Sequence, residues 1–591
     1  MCGIVGGVGN VDFRKYLIEG LKKLDYRGYD SAGLAYQKDG QINCYKIAGR
    51  VEALDAIVPP FTGANAGIAH TRWATHGQPS KENAHPQMSM RGEFYIVHNG
   101  VIENFRALKN QLIARGYVFA SQTDTEVIAD MLERNFLRIG SVLDAIRATI
   151  DGLQGSFACA ILHKGEPNRL YFMKNASPLL LGVGSDASYL GSDALPMVGY
   201  TSKFIDLDDG EYGFLTPGGF GIYKGYDKME PKWTTRSAEL LNHDLMGYPH
   251  YMLKEIEEIP GVIKRLQDNY FDGEKFLFNP AMLKTIEHAD KITFLACGTS
   301  YYACLMGVKF MHFLNRRASA SIASEFAYDP FTSAKRPVYI LLSQSGETAD
   351  LIKCQKIINA RGEISIAVTN SKGSTIERNA TYSCLLYAGL EVAVASTKSY
   401  VAQVSFLAML TGALDHKNNV ITHLYALSDA IKDVIARKGE IQKLADSVAD
   451  AKDAFYVGRG NDYLAGMEGA LKLKEVSYVH AECYPGGELK HGPIALIEDG
   501  TLVIALISDP DLAMAMRNNL EELRARKAHI LVISNDACKA EGDAFVTKSC
   551  KPYLAAVVGV VVAQYFSYYV ALKKGLPIDK PRNLAKSVTV E

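Results

Sequence analysis

The sequence predicts a multidomain α/β protein: an α+β unit of stacked antiparallel sheets over residues 1–235, then two duplicated parallel α/β lobes. Three observations carry this. The chain has 591 residues, too many for one core when domains run to roughly 150 residues. Short β-like runs divided by glycine crowd the first 235 residues, among them Gly67-Ile68-Ala69-His70, Phe94-Tyr95-Ile96-Val97-His98 and Phe157-Ala158-Cys159-Ala160-Ile161-Leu162. Beyond them, apolar strands alternate with long helical patterns, as parallel sheets require. That alternation recurs after about 160 residues. Ile292 to Gly298 is echoed by Ala454 to Gly458, Val338 to Leu342 by Leu502 to Leu506, and Ser365 to Val368 by Ile530 to Ile533.

In chain order, helices are expected near 101–115 and 124–150, the second opened by the cap Thr123-Asp124-Thr125-Glu126. His98-Asn99-Gly100 is expected to end a strand. The polar passage 225–245 reads as the connection, with the linker itself at 236–250. The first lobe is expected over 251–425 and the second over 435–578, each binding ligands at the carboxyl ends of its strands. The tail, 579–591, read alone, is a frayed terminus. Pro552 to Leu572 is nearly long enough to span a bilayer, but Gln564, Ser567 and four tyrosines favour a buried helix.

The chain is 48% hydrophobic and 22% charged, with a formal net charge of -1. This is the balance of a soluble globular protein and argues against nucleic-acid or membrane partners. The ten cysteines are scattered, with no Cys-x-x-Cys pair and no Cys/His cluster at zinc spacing. A reducing, cytoplasmic compartment without a structural metal is expected, and no secretory signal is evident at the start.

Position singles out Cys2. Trimming of Met1 leaves it with a thiol nucleophile and a free α-amine, whose ordinary pKa of roughly 7.7–8.0 leaves a fraction unprotonated at neutral pH. The alternative is a small buried residue that merely opens the first strand. An amide-cleaving thiol needs donors aimed at the developing oxyanion, and the Asn99 side chain and Gly100 N–H have that chemistry. Arg72 suits an amino-acid carboxylate and Asp124 its ammonium. Asn99-Gly100 also reads as a turn, and Asp124 as a helix cap.

Met1-Cys2-Gly3-Ile4, Asp25 to Gly33, His70 to Gly77, Asn83-Ala84-His85-Pro86 and His98-Asn99-Gly100 together resemble the class II glutamine amidotransferases. These are N-terminal-nucleophile hydrolases of αββα architecture that release ammonia from glutamine. The resemblance implies Cys2 as nucleophile, Asn99 and Gly100 as oxyanion hole, and Arg72, Thr75, His76 and Asp124 as the glutamine clamp.

The second half names what receives the ammonia. Ser343-Gln344-Ser345-Gly346-Glu347-Thr348 follows a strand, and its hydroxyls before a helix N-terminus suit a phosphate. The matching stretch in the second lobe, Ser508-Asp509-Pro510-Asp511, carries two aspartates that would repel one. Glu468, Lys472 and Glu475 share a helical face among small and apolar residues, so their charges are expected to be buried, paired and fit for proton transfer. A solvated Glu/Lys face is the other reading.

These segments, with Cys297 to Ser300, Val394 to Lys398, His491 and the tail, resemble the glutamine–fructose-6-phosphate aminotransferase (isomerising) family over nearly the whole chain. Ile259, Ala393 and Ser399 depart from the residues common there. The resemblance implies two sugar isomerase (SIS) lobes, phosphate held by Ser343, Gln344, Ser345 and Thr348, and Thr299, Ser300, Ser396 and Ala585 near the sugar. It implies a Lys586 Schiff base, proton transfer by Glu475 assisted by Lys472, and ring opening by His491 from a neighbouring subunit, hence a homodimer. It also implies an ammonia channel gated by Trp73, closure of the sugar site by the tail, and no metal or redox cofactor. Rival amidotransferases would need a diphosphate or ATP-pyrophosphate loop, and none is found. A sugar-phosphate-binding regulator would not need Cys2, Glu475, His491 and Lys586 together.

Overall fold

A computed structural model describes residues 2–24, 28, 30–73, 76–236 and 245–589. The chain divides into two compact units, 1–242 with 587–591, and 243–586.

The first unit is built on two antiparallel sheets. One, eight-stranded, runs Trp233–Thr235, Lys203–Asp206, Leu180–Val183, Ala187–Gly191, Gly3–Gly9, Ala66–Arg72, Ser31–Lys38, Gln41–Ala48. The other, seven-stranded, centres on Leu170–Asn175, Gly155–His163 and Phe94–Ile102. Ile4, Val8, Ile68, Val97, Ala158 and Ala160 fill the space between the sheets. The helices Phe13–Leu24 and Val51–Ile57 cover the outer face of the first sheet. Phe105–Ile113, Asp124–Ile139 and Val142–Ile150 cover that of the second. The result is the expected αββα sandwich, because central strands such as Gly3–Gly9, Ala66–Arg72 and Gly155–His163 are buried on both faces and need cover on both.

Three expectations are corrected. The single helix over 124–150 is two. Gly140, at φ 80°, closes the first in the left-handed region, and Ser141 caps the second through Asp144 N–H. The strand expected to end at His98-Asn99-Gly100 continues to Ile102. Asn99 and Gly100 pair with Ala158 and Phe157, so they form no turn. The polar passage from 225 is in part sheet, since Asp227–Lys228 and Trp233–Thr235 pair as strands of the first unit.

In the second unit, two five-stranded sheets share one strand order, and every pair is parallel. The first runs Ala318–Ile322, Lys291–Ala296, Pro337–Ser343, Ile364–Thr369, Tyr382–Leu385; the second runs His480–Pro485, Asp453–Gly458, Leu502–Ile507, His529–Asn535, Phe545–Thr547. A single apolar core joins the lobes through Lys398–Leu414, Asn419–Ala436, Asn461–Ser477 and Pro552–Lys573. The last helix is long and apolar enough to cross a membrane, yet 94% of its most apolar window is buried inside the fold. Gln564 Nε2 donates to Thr397 O, Ser567 to Ala563 O, and Tyr568 meets His250 Nδ1, so these three side chains find partners within the protein. The start of the tail returns to the first lobe, where the Asp579 carboxylate accepts from Tyr251 and Met252 N–H and its carbonyl from Val394 N–H.

Candidate functional sites

In the first unit, Cys2 immediately precedes the strand Gly3–Gly9. Its Sγ accepts from Trp73 N–H at 3.1 Å and donates to Trp73 O at 3.5 Å. Burial pushes the thiol pKa up, against the pull of the Trp73 N–H and the Arg72 charge. Asn99 Nδ2 donates to Cys2 O at 3.0 Å, which puts a carboxamide donor beside Cys2. Gly100 has φ +133°, and a Cβ there would sit 2.0 Å from Ser156 O, so only glycine fits.

Asp124 opens its helix behind Thr123, whose side chain accepts from Glu126 N–H. Thr123 is therefore the cap, while one Asp124 oxygen accepts from Ile102 N–H at 2.9 Å. Arg72 is buried. Its Nη2 donates to His76 O and Gly77 O, while Nη1 is buried and meets no described acceptor. A buried guanidinium edge without a partner suits a ligand carboxylate. Burial lowers its pKa, opposed by Cys2, Asp124 and Asp30. The His76 ring packs edge-on against Phe105, centroids 4.7 Å apart. Thr75 and most of Asp25 to Tyr29 lie outside the described residues.

In the second unit, the strands Lys291–Ala296 and Pro337–Ser343 are neighbours, so the loops at their carboxyl ends adjoin. Ser343 Oγ accepts from Gly346 N–H at 2.9 Å and bonds Thr348 Oγ1 at 3.0 Å, while Ser345 Oγ accepts from Glu347 N–H at 3.2 Å. Thr348 then starts the helix Ala349–Ala360. Gln344 contributes its carbonyl to Asn370 N–H. In the second lobe the equivalent loop is occupied by its own carboxylates. Asp462 accepts from Ser508 N–H at 2.7 Å and Oγ at 2.5 Å, and Asp509 caps the following helix.

The helix Asn461–Ser477 buries Glu468 and Lys472 completely. Lys472 Nζ lies 2.6 Å from Glu475 Oε2, 3.0 Å from Thr299 Oγ1 and 3.5 Å from Glu468 Oε1. One cation thus faces two carboxylates, and the nearer takes its charge. Burial would discharge Lys472, but Glu468 and Glu475 hold its pKa up at about 12. Burial pushes Glu468 up to about 8, so it carries a proton at neutral pH. Ser300 accepts from Gln403 at 2.8 Å.

Lys586 donates to Ser396 Oγ at 3.1 Å and to Glu391 at 2.5 Å; Ala585 precedes it, half-buried. The Glu391 charge is felt at Lys472, which ties this pair to the Lys472 cluster. Glu391 is a residue that sequence reasoning missed. Its signal was an acid three residues before the Val394–Lys398 motif. It accepts from Thr397 and Ser399 N–H and from Ser399 Oγ. Burial opposes its charge, yet Lys586 and those donors hold its pKa at about 2. Behind it Glu255, also missed, accepts from Val392 and Ala393 N–H. His491 ends an exposed 3-10 turn, Glu488–His491. Among the described residues none is hydrogen-bonded to its side chain.

Residues 70–197 match a model of the glutamine amidotransferase domain, and residues 285–413 and 447–574 each match the SIS domain. The chain is 42% identical, over the full length of both, to the glutamine--fructose-6-phosphate aminotransferase [isomerizing] of Geobacillus kaustophilus, and 44% identical, again over both full lengths, to that of Bacillus cereus. Among solved structures, the C-terminal domain of glucosamine-fructose-6-phosphate aminotransferase from Francisella tularensis aligns with TM-score 0.53 and 29% identity, over 56% of this chain and 99% of that one. The fold is that of a glutamine amidotransferase domain followed by a pair of SIS lobes. The chain belongs to the glutamine--fructose-6-phosphate aminotransferase [isomerizing] family.

Proposed function

We propose that this chain transfers ammonia from glutamine to fructose 6-phosphate and isomerises the product, giving glutamate and glucosamine 6-phosphate, the first step of hexosamine synthesis. The observation that carries this reading is the pair of buried lysines, Lys586 on Glu391 and Lys472 on Glu475, which lie beside Ser396 and Thr299 of the first SIS lobe.

Cys2 attacks the glutamine amide, with Asn99 Nδ2–H and Gly100 N–H receiving the oxyanion. Arg72 holds the substrate carboxylate and Asp124 its ammonium, with Thr75 and His76 completing the clamp. The Ser343–Thr348 loop takes the sugar phosphate, and Thr299, Ser300, Ser396 and Ala585 line the sugar. Lys586, once neutral, adds to the C2 carbonyl and water leaves. Ammonia then displaces the lysine, forming the C2 imine. Glu475 removes a proton from C1 and returns it at C2, while the Lys472 ammonium stabilises the charge developing on the enolamine. Imine exchange and proton transfer use only the chain's own groups.

His491 is exposed in one chain, which supports ring opening by His491 of a second subunit in a homodimer. The buried helix Pro552–Lys573 and the balanced charge support a cytoplasmic enzyme.

The test is formation of glucosamine 6-phosphate by the full chain. Wild type is expected to use glutamine or ammonia, and Cys2→Ala ammonia alone. A wild type that makes no glucosamine 6-phosphate from either donor would refute the reading.

A further inference from the structure

We propose that His70 is a positioning residue for glutamine hydrolysis, holding the Asn99 carboxamide with its N–H rather than its oxygen toward Cys2. This rests on the reading of Cys2 and Asn99 as nucleophile and oxyanion donor.

His70 comes from the strand Ala66–Arg72 of one sheet and Asn99 from Phe94–Ile102 of the other. Their side chains meet in the interior. His70 Nε2 lies 3.0 Å from Asn99 Oδ1 and 3.0 Å from His98 O. A backbone carbonyl only accepts, so the imidazole proton must be on Nε2, shared between the two oxygens. The other ring nitrogen, Nδ1, is buried with no partner among the described residues, which leaves a neutral ring with one proton. Burial, with the nearby Arg72 and His98, drives the His70 pKa down to about 3, in accord with that single tautomer.

The amide orientation follows. With Oδ1 toward His70, Nδ2 donates to Cys2 O at 3.0 Å. Turned over, the amide would set its oxygen against Cys2 O and its NH2 against the His70 N–H. Both contacts would then be repulsive. The ring itself is held from behind. His85 packs against it with centroids 4.2 Å apart, and His85 Nε2 and His98 Nδ1 meet on one hydroxyl, Thr125 Oγ1, at 2.7 and 2.9 Å. Without the His70 proton, only one bond to Cys2 O opposes rotation of the Asn99 amide, and a turned amide presents an oxygen to the oxyanion.

The test compares His70→Gln, His70→Asn and His70→Leu in the full chain, reading glutamate release with fructose 6-phosphate present. Glutamine places a donor where Nε2 stands; asparagine places one where Nδ1 stands; leucine has none. His70→Gln is expected to keep kcat within about fivefold of wild type. His70→Asn and His70→Leu are expected to lose about tenfold to a hundredfold in kcat, below the roughly 10²–10³-fold value of an oxyanion donor. KM for glutamine and affinity for glutamate should stay within about threefold. Binding of glutamate γ-semialdehyde, whose adduct with Cys2 places an oxygen in the oxyanion hole, should weaken in step with kcat. In an Asn99→Ala background, His70→Leu should cost nothing further. The proposal is overturned if His70→Asn matches His70→Gln, if glutamate affinity falls as far as kcat, or if the loss persists without Asn99. A failure of His70→Leu to fold leaves the Gln/Asn comparison to decide. If wild type releases no glutamate, the Cys2 reading fails and this proposal with it. An active wild type with silent His70 variants overturns this proposal alone.

Discussion

Lys586 Nζ lies 2.5 Å from Glu391 Oε2, and the two side chains are 4% and 0% exposed. Glu391 is held at about 2 by Lys586 and its N–H donors against the cost of burial, so at neutral pH Lys586 faces a carboxylate. Lys586→Ala is expected to abolish glucosamine 6-phosphate formation with either nitrogen donor. It also leaves a buried charge unpaired, at a cost of about 3–5 kcal/mol. Glu391→Gln with Lys586→Met removes both charges and should unfold at a higher temperature than Lys586→Met alone. Thermal unfolding of the three variants checks this.

Gly346 sits at φ +66°, and a Cβ on it would lie 2.0 Å from Ser374 Oγ and 2.4 Å from Ser374 Cβ. Gly346→Ala must therefore shift the Ser343–Thr348 loop and strain its backbone, by about 1–3 kcal/mol. KM for fructose 6-phosphate should rise about tenfold or more, with glutamine hydrolysis at saturating sugar retained. Steady-state kinetics in each substrate reads the split.

Arg72→Lys keeps the charge and loses the planar fork, including the unpartnered Nη1 edge. Bidentate pairing with a carboxylate is then impossible. KM for glutamine is expected to rise about tenfold to a hundredfold, while ammonia-dependent synthesis stays at the wild-type rate. An equal fall in both activities would remove Arg72 from the clamp.

Glu255 and Glu468 are each driven from an ordinary 4.5 to about 8, by burial above all. Between those values the unfolded chain is ionised at these positions while the folded chain is not. Their stabilising contribution is thus complete below 4.5 and is lost as pH rises through 8. Glu255→Gln cannot ionise, so its unfolding temperature should gain on wild type between pH 5 and pH 8, on the order of a few degrees. A difference independent of pH would show that Glu255 is ionised in the folded protein.

Much of this architecture was legible in the sequence because burial leaves a local period. The paired strands at Ile292 and Ala454, and at Val338 and Leu502, come out as matching parallel sheets, and the apolar run from Pro552 as a buried helix. The Glu468–Lys472–Glu475 face was readable from helical spacing alone. The break at Gly140 was not, since apolar residues continue across it and only the left-handed backbone of one glycine ends the helix. Nor was the continuation of the strand through Asn99-Gly100, where a turn-forming dipeptide yields to pairing with Ala158 and Phe157. Glu391 stood outside every periodic segment, in a loop whose partners come from residues 397, 399 and 586.

By itself, then, the sequence determined the order of units, the duplicated lobes and the motifs that carry the chemistry, because these depend on neighbours within a turn or two of chain. Only the tertiary structure decided which polar groups meet. It put His70 of one sheet on Asn99 of the other, Lys586 on Glu391 across 195 residues, and Lys472 nearer Glu475 than Glu468. Those pairings set which groups hold protons, and protonation depends on burial and on distances between groups far apart in the chain.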